Sequence, residues 1–378
     1  DKPLNSPYGK NVDNKKVFYS SFQERPKHLD PARSYSSNEY AFIAQIYEPL
    51  FQYHYLKKPY QLIPLAAKEM PELIYLDNKF EKTKDKNKVR YIKYVLKIKR
   101  GILYQNHPAF YKNGSNYRYH NLKKTELEGI DTIKDFKNES TRELMSDDYI
   151  YQIKRLADYK NHSPIAGVMQ EYIFGFSEYN KKISNAKYKS NSERIELIKS
   201  NQIKGVEKID NFTFSIILKK QYPQFVYWLA MPFFSPMPWE ADMFYSQPGL
   251  QEKNITLNWF PVGTGPFKLT ENNPNLRMVL EKNKNFRKEV YPSLKDKIVK
   301  RKMISYNKNK VIPFIDKAIY SLEKEQIPRW NKFLQGYYDN SGIASDNYDQ
   351  AISLNNSGDV SLNKDLEKKG IYLTTATA

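Results

Sequence analysis

Ile92, Tyr94, Leu96 and Ile98 are separated by Lys93, Val95 and Lys97, and the segment Phe212-Thr213-Phe214-Ser215-Ile216-Ile217-Leu218 alternates in the same way far along the chain. A period of two turns alternate side chains to a core and to water, so each segment reads as a half-exposed strand with lysine on its wet face. Elsewhere the period changes. Ser36-Ser37-Asn38-Glu39 supplies helix-capping residues ahead of Phe42, Ile43, Ile46, Tyr47 and Leu50, whose helical spacing directs one face to a core. Ser146-Asp147-Asp148 stands before Ile150, Ile153 and Leu156, and acids there suit a helix N-terminus. Val17–Ser20 and Arg277–Glu281 read as further strands. Pro328 opens a helix carrying Trp330, Phe333, Leu334 and Tyr337 that ends near Asn340-Ser341-Gly342. Strands and helices are interspersed without a regular βαβ period or an internal repeat. The fold class is a multi-domain α/β protein.

Composition narrows the partners. At 378 residues the chain has room for two to three domains and buries enough surface to need no covalent staples. It has no cysteine, which removes disulfides, thiol catalysis and thiolate zinc sites. Aromatic residues make up 15%, too much for a disordered chain despite a mean hydropathy of -0.75. Lys and Arg number 61 against 42 Asp and Glu, a net charge of +19. Such a charge permits nucleic acid, anionic membranes or acidic ligands without choosing among them. The lysines are spread along the chain rather than gathered in one patch, so no nucleic-acid partner is expected and solvated faces account for the charge. There is no apolar run long enough to span a membrane. Asp1 at the start implies either a removed signal peptide or an artificial beginning.

The catalytic inventory is thin. The five histidines, His28, His54, His107, His120 and His162, include no pair four apart on a helix, and no metal is expected. Gly175-Phe176-Ser177 lacks the closing glycine of a nucleophile elbow. Gly263-Thr264-Gly265 has two glycines of a dinucleotide fingerprint, but Lys268 stands in the third place and a strand follows, so it reads as a tight turn. No enzyme and no cofactor are expected. Met231-Pro232-Phe233-Phe234-Ser235-Pro236-Met237-Pro238 is apolar and proline-locked, which suits an interdomain or cleft-lining loop.

Seven segments, taken in order, resemble the family 5 extracellular solute-binding proteins, the periplasmic oligopeptide- and dipeptide-binding components of ABC importers. They are Leu29-Asp30-Pro31, Ile46-Tyr47-Glu48-Pro49-Leu50, Pro64-Leu65-Ala66-Ala67, the strand and turn Tyr94–Ile102, Leu144–Tyr149, the run Phe260–Leu269 and Leu280–Phe286. Phe260-Pro261-Val262-Gly263-Thr264-Gly265-Pro266-Phe267 is the most specific. Met70 stands near the family's usual aromatic residue, a mild departure.

The resemblance implies an α/β clamshell of the type II periplasmic-binding-protein kind, two lobes joined by crossing strands with a ligand cleft between them. Lobe one comprises residues 1–47 and 205–268, an inserted second domain 48–204, and the opposite lobe begins at 269. It further implies that the extended segment after the Leu-Asp-Pro motif, here Tyr35, Ser36, Ser37 and Asn38, pairs its backbone with a bound peptide by β-augmentation. Simple helix capping is the other reading of the same residues, and both can hold at once. Gly263, Thr264 and Gly265 become a lobe-crossing turn in which glycine permits a strained backbone. The implied function is periplasmic capture of oligopeptides by a monomer that delivers them to an inner-membrane ABC permease and its ATPase. Open alternatives are another solute in the same fold (a cell-wall peptide, a sugar or a metal chelate) or a basic protein that binds anionic surfaces or nucleic acid. Family members run well past 378 residues, so the second lobe is expected to be truncated near Gly370–Thr375, without the acid that pairs with a peptide's amine.

Overall fold

The computed structural model describes residues 7–8, 16–57, 59–291, 309–354 and 360–374. The elements used below are, in chain order, β1 (Val17–Phe22), α1 (Ser37–Ile46), β2 (Phe51–Tyr53), β3 (Leu62–Pro64), β4 (Glu72–Leu76), β5 (Tyr91–Lys97), α2 (Ser146–Ala157), β6 (Val206–Asp210), β7 (Thr213–Leu218), β8 (Phe267–Asn273), β9 (Arg277–Lys282), β10 (Lys317–Leu322) and α3 (Gln326–Leu334). Most of the expected lead-in before residue 16 lies outside the described residues.

The chain divides into two compact units. One contains residues 1–25, 269–282 and 313–378, the other residues 26–268 and 283–312.

The first unit is built on a four-stranded sheet ordered β1-β10-β9-β8. β1 runs parallel to β10, with Val17 opposite Lys317 and Phe22 opposite Leu322, and β9 runs antiparallel to β10. A small apolar cluster around Trp330, Ala351, Leu362 and Leu366 lies in the same unit. α3 stops at Leu334, short of Tyr337. Gly336 takes a positive φ of 85° and its N–H donates to the Phe333 carbonyl, a left-handed helix ending that the sequence reading placed several residues later.

The second unit carries the two alternating strands as neighbours. Its main sheet is antiparallel, ordered β4-β5-β7-β6, with Ile92 opposite Leu218 and Leu96 opposite Phe214. Ile92, Tyr94 and Leu96 are buried and Lys93 and Lys97 are not, as the period of two requires. α2 packs on this sheet through Tyr149, which stacks on Phe214 at 5.7 Å between ring centroids, and the short helix Phe225–Trp228 adds Phe225, which meets Tyr94 edge-on at 5.2 Å.

The side of α2 away from the sheet is polar, and its charges are paired inside the unit. Arg155, 1% exposed, forks both carboxylate oxygens of Asp30 at 3.0 and 2.7 Å and reaches Asp242 at 3.2 Å. Burial raises the Asp30 carboxyl, but the Arg155 charge and its hydrogen bonds outweigh that and hold it below its ordinary value. Arg142 binds Asp148 and Glu240 by two hydrogen bonds each, between 2.6 and 2.9 Å. Asp148 also accepts the Met145 N–H at 3.0 Å, so it closes the N-terminus of the helix it sits on.

Candidate ligand-binding site

Tyr35, Ser36, Ser37 and Asn38 form the entry to α1. Their geometry is set by one carboxylate. Glu39, 3% exposed, accepts from the backbone N–H of Lys27 at 3.0 Å and of His28 at 2.7 Å with one oxygen. Its other oxygen accepts from the Ser34 hydroxyl at 2.9 Å and from the N–H groups of Tyr35 at 3.1 Å and Ser36 at 3.3 Å. Ser36 is the N-cap of α1, in extended backbone, and Glu39 at the third helical position completes a capping box. Burial pushes the Glu39 carboxyl up, but the hydrogen bonds from Ser34, His28 and Ser36 together hold it below its ordinary value. The capping reading therefore describes these residues in the structure, and the Tyr35 and Ser36 N–H groups are already engaged. Tyr35 itself projects, 75% exposed, with its ring 6.2 Å from that of Phe233.

Gly263, Thr264 and Gly265 sit at the other end of α1, about 15 Å away along a ten-residue helix. The two sets are thus held by one helix and not brought together. Neither glycine has a positive φ. What each needs is the absence of a side chain: a Cβ on Gly263 would lie 1.9 Å from the Ile46 carbonyl oxygen, and one on Gly265 2.7 Å from it. The expected reason, a strained backbone, gives way to close approach. Gly265 N–H donates to the Ile46 carbonyl at 2.8 Å, and the Thr264 hydroxyl donates to buried Glu48 at 2.8 Å. Glu48 also receives Arg287 at 2.7 Å, while burial pushes its carboxyl up and Arg287 only partly offsets this. The boundary between the units falls three residues beyond Gly265, at Lys268/Leu269.

Between these ends, Tyr40, Ile43, Ala44 and Tyr47 recur along one side of α1 and line a cavity of about 270 Å³. The β2–β3 hairpin supplies Phe51 and Tyr53, and the proline-locked loop supplies Pro232 and Ser235. That loop is anchored to α2, because the Gln152 amide donates to the Phe233 carbonyl at 2.9 Å and Met237 N–H to the Asp148 carbonyl at 3.1 Å. The segment is a loop with one 3-10 turn, Pro232–Phe234, and not a strand, as expected. Tyrosines surround the opening: Tyr40, Tyr53, Tyr60 and Tyr227 are 46 to 61% exposed, and Tyr53 stands 6.5 Å from Tyr227 and 5.9 Å from Tyr60. The sequence reading singled out Ile43 and Tyr47 as core and missed Tyr40 and Ala44. The signal was present as a stripe at helical spacing, but one that alternates large and small residues and so reads as surface.

A larger opening of about 600 Å³ lies elsewhere in the same unit, with His120, Asn191 and Gln247 among its walls. Two of its polar side chains are bonded within the protein: Gln247 accepts from Leu122 N–H and donates to the Tyr119 carbonyl, both at 2.8 Å, and Asn191 donates to the Ser246 carbonyl at 2.8 Å. Among the described residues no group of three or more metal-ligating side chains occurs, and no helix is long and apolar enough to cross a membrane.

Comparison with solved structures places this architecture. An oligopeptide ABC transporter substrate-binding domain from Bacillus anthracis matches with a TM-score of 0.54 and 18% identity over 89% of this chain and 47% of its own. A peptide-bound OppA from Listeria monocytogenes matches with a TM-score of 0.55 and 12% identity over 89% of this chain and 48% of its own. A periplasmic oligopeptide-binding protein from Borrelia burgdorferi matches with a TM-score of 0.53 and 18% identity over 86% of this chain and 46% of its own. Sequence comparison with curated proteins gives no match. The fold is that of the type II periplasmic binding proteins, and the chain spans about half the length of the solved structures it matches. The model of the bacterial extracellular solute-binding proteins, family 5, matches residues 134–375, more than half of the chain, and the chain belongs to that family. Its family is one of binding proteins rather than enzymes.

Proposed function

We propose that this protein captures oligopeptides in the periplasm and delivers them, as a monomer, to an inner-membrane ABC permease and its ATPase. Family membership supports solute capture, and the names of the similar structures point to peptides as the solute. The observation that carries the site is Tyr35, exposed on a segment held rigid by Glu39 and followed directly by the cavity-lining stripe of α1. In this reading Tyr35, Ser36, Ser37 and Asn38 meet the peptide through side chains, since the Tyr35 and Ser36 N–H groups are taken and the Ser36 carbonyl accepts the Tyr40 N–H at 3.0 Å. Gly263, Thr264 and Gly265 are the turn that leads into the lobe crossing. Residues 48–204 are the inserted domain of the proposed three-part organisation.

Isothermal calorimetry with a library of short peptides tests the proposal. Binding should be measurable and only weakly dependent on salt, because contacts to uncharged side chains release few counterions. An affinity that falls steeply with salt, or binding to anionic vesicles or nucleic acid in place of peptides, overturns it.

A further inference from the structure

The basic residues are spread along the chain, but the connection between β4 and β5 concentrates them. Residues 79–90 carry six cations, Lys79, Lys82, Lys84, Lys86, Lys88 and Arg90, against two acids, Glu81 and Asp85. All six cations are exposed, and among the described residues only Lys88 has an acidic neighbour, Asp85 at 3.9 Å. The nearby aspartates serve the backbone instead. Asp77 accepts the N–H groups of Lys79 at 2.8 Å and Glu81 at 3.0 Å, and Asp85 accepts that of Asn87 at 3.0 Å. The Tyr75 carbonyl accepts the Thr83 N–H at 3.0 Å, which folds the segment back along β4. The lysines therefore project from a fixed backbone that has little freedom left to lose on docking.

At the first turn Phe80 has a φ of 65°, in the left-handed region where a bulky residue is an outlier. Its ring stacks on Tyr91 at 4.3 Å and lies 5.2 Å from Phe174, yet the residue is 41% exposed. Tyr75, where the segment folds back, is 43% exposed. Backbone strain that keeps an aromatic ring at the surface among lysines points to a use for that ring. Point charges beside apolar rings match the surface of a bilayer, where anionic headgroups attract lysine and the interfacial layer takes aromatic rings. They match nucleic acid less well. The one guanidinium, that of Arg90, turns back to the Asn87 and Val89 carbonyls at 3.4 and 3.3 Å, and the Phe80 ring already stacks on Tyr91.

We propose that the connection between β4 and β5 is a docking surface for an anionic phospholipid membrane. Lys79, Lys82, Lys84 and Lys86 supply the attraction and Phe80 the apolar contact. Docking concentrates the protein at the bilayer, an activity separate from solute capture.

Co-sedimentation of the whole chain with phosphatidylcholine vesicles, with and without phosphatidylglycerol, tests the proposal. The chain should bind the anionic vesicles alone, and less as salt rises. Lys82→Gln/Lys84→Gln/Lys86→Gln should weaken that binding on the order of 100-fold, about 5-fold per charge, and Lys82→Arg/Lys84→Arg/Lys86→Arg should keep it. A net charge of +19 attracts any anionic surface, so the control removes three exposed lysines from the other unit, as Lys324→Gln/Lys364→Gln/Lys369→Gln. That control should lose less than about 3-fold, because charges beyond a Debye length from the lipid are screened. Phe80→Asn suits the left-handed turn, so it should fold with an unchanged circular dichroism spectrum while binding vesicles several-fold more weakly. Equal losses from the two glutamine triples, unchanged binding by Phe80→Asn, or tighter binding of short single-stranded DNA than of anionic vesicles overturns the proposal. Peptide calorimetry keeps it distinct from the function proposed above. Peptide binding without hairpin-dependent vesicle binding leaves that function and overturns the docking surface, and the reverse result overturns the function and leaves the docking surface.

Discussion

Asp30 and Arg155, far apart in sequence, form a bidentate ion pair inside the second unit, with N–O distances of 3.0 and 2.7 Å and almost no exposure of either side chain. The Leu-Asp-Pro motif owes its acid to this contact. Asp30 turns the chain by accepting the Ala32 N–H at 2.9 Å and ties that turn to α2, so the segment leading to Tyr35 leaves from a fixed point. Glu48 with Thr264 and Arg287, and Asp148 with Arg142, show the same design. The family-like motifs are held to the rest of the unit by buried charge.

Removing one partner of such a pair strands the other. Asp30→Asn should cost about 3 to 5 kcal/mol, and Asp30→Leu at least as much. The double variant Asp30→Leu/Arg155→Met should recover part of that loss, because the buried guanidinium goes with its main partner and only the less buried Asp242, 3.2 Å from Arg155, loses a contact. Chemical denaturation of the three variants checks this. A double variant less stable than Asp30→Leu alone contradicts the account.

Glu39 makes the loop before α1 sensitive to acid. Its carboxyl lies below the ordinary value of 4.5 in the folded state, so it contributes stability in full above that pH and loses it as the pH falls through the folded value. Glu39→Gln should lose about 2 kcal/mol at neutral pH, the worth of hydrogen bonds to a charged acceptor. It should also flatten the decline of stability below pH 4.5 relative to the parent protein. Stability curves measured from pH 3 to 7 decide it.

Gly263 and Gly167 should respond oppositely to the same substitution. A Cβ at Gly263 meets the Ile46 carbonyl at 1.9 Å, whereas one at Gly167, inside the helix Ala166–Tyr172, meets nothing within 4 Å. Gly263→Ala should destabilise by more than about 3 kcal/mol through forced backbone displacement. Gly167→Ala should be neutral or add up to about 1 kcal/mol of helix propensity. Thermal unfolding of both variants is the measurement, and equal effects refute it.

His107 should remain neutral throughout the physiological range. Burial, then the charges of Lys268 and His120, lower its value from 6.5 to about 3, and its Nε2 lies 2.7 Å from the Tyr245 hydroxyl. The folded protein therefore binds fewer protons than the unfolded chain between those values, and stability drains away as the pH falls from 6.5. Its ring proton resonances should not titrate between pH 5 and 8. A midpoint within that range contradicts the burial described here.

Much of the local structure was legible because it depends on near neighbours. The alternation around Tyr94 and Phe214 placed β5 and β7, the capping residues before Phe42 and Ile150 placed α1 and α2, and Pro232 with Pro236 marked a loop. Local chemistry was less reliable at element ends, as the early stop of α3 at Leu334 shows, where Gly336 was the better signal than Gly342. The ordered motifs were enough to recognise the family, because their spacing reflects contacts that they cannot display singly.

What the sequence by itself determined is the class of each element, through side-chain period and capping, and the family, through motif order. Only the tertiary structure decided what the motifs do. That Asp30 meets Arg155, that Thr264 meets Glu48, and that Gly263 must lack a side chain are facts of long-range proximity, which no local pattern encodes. The cavity beside α1 is of the same kind. Tyr40 and Ala44 look like surface residues until the hairpin strands β2 and β3 and the loop at Pro232–Ser235 stand beside them to make a cavity wall.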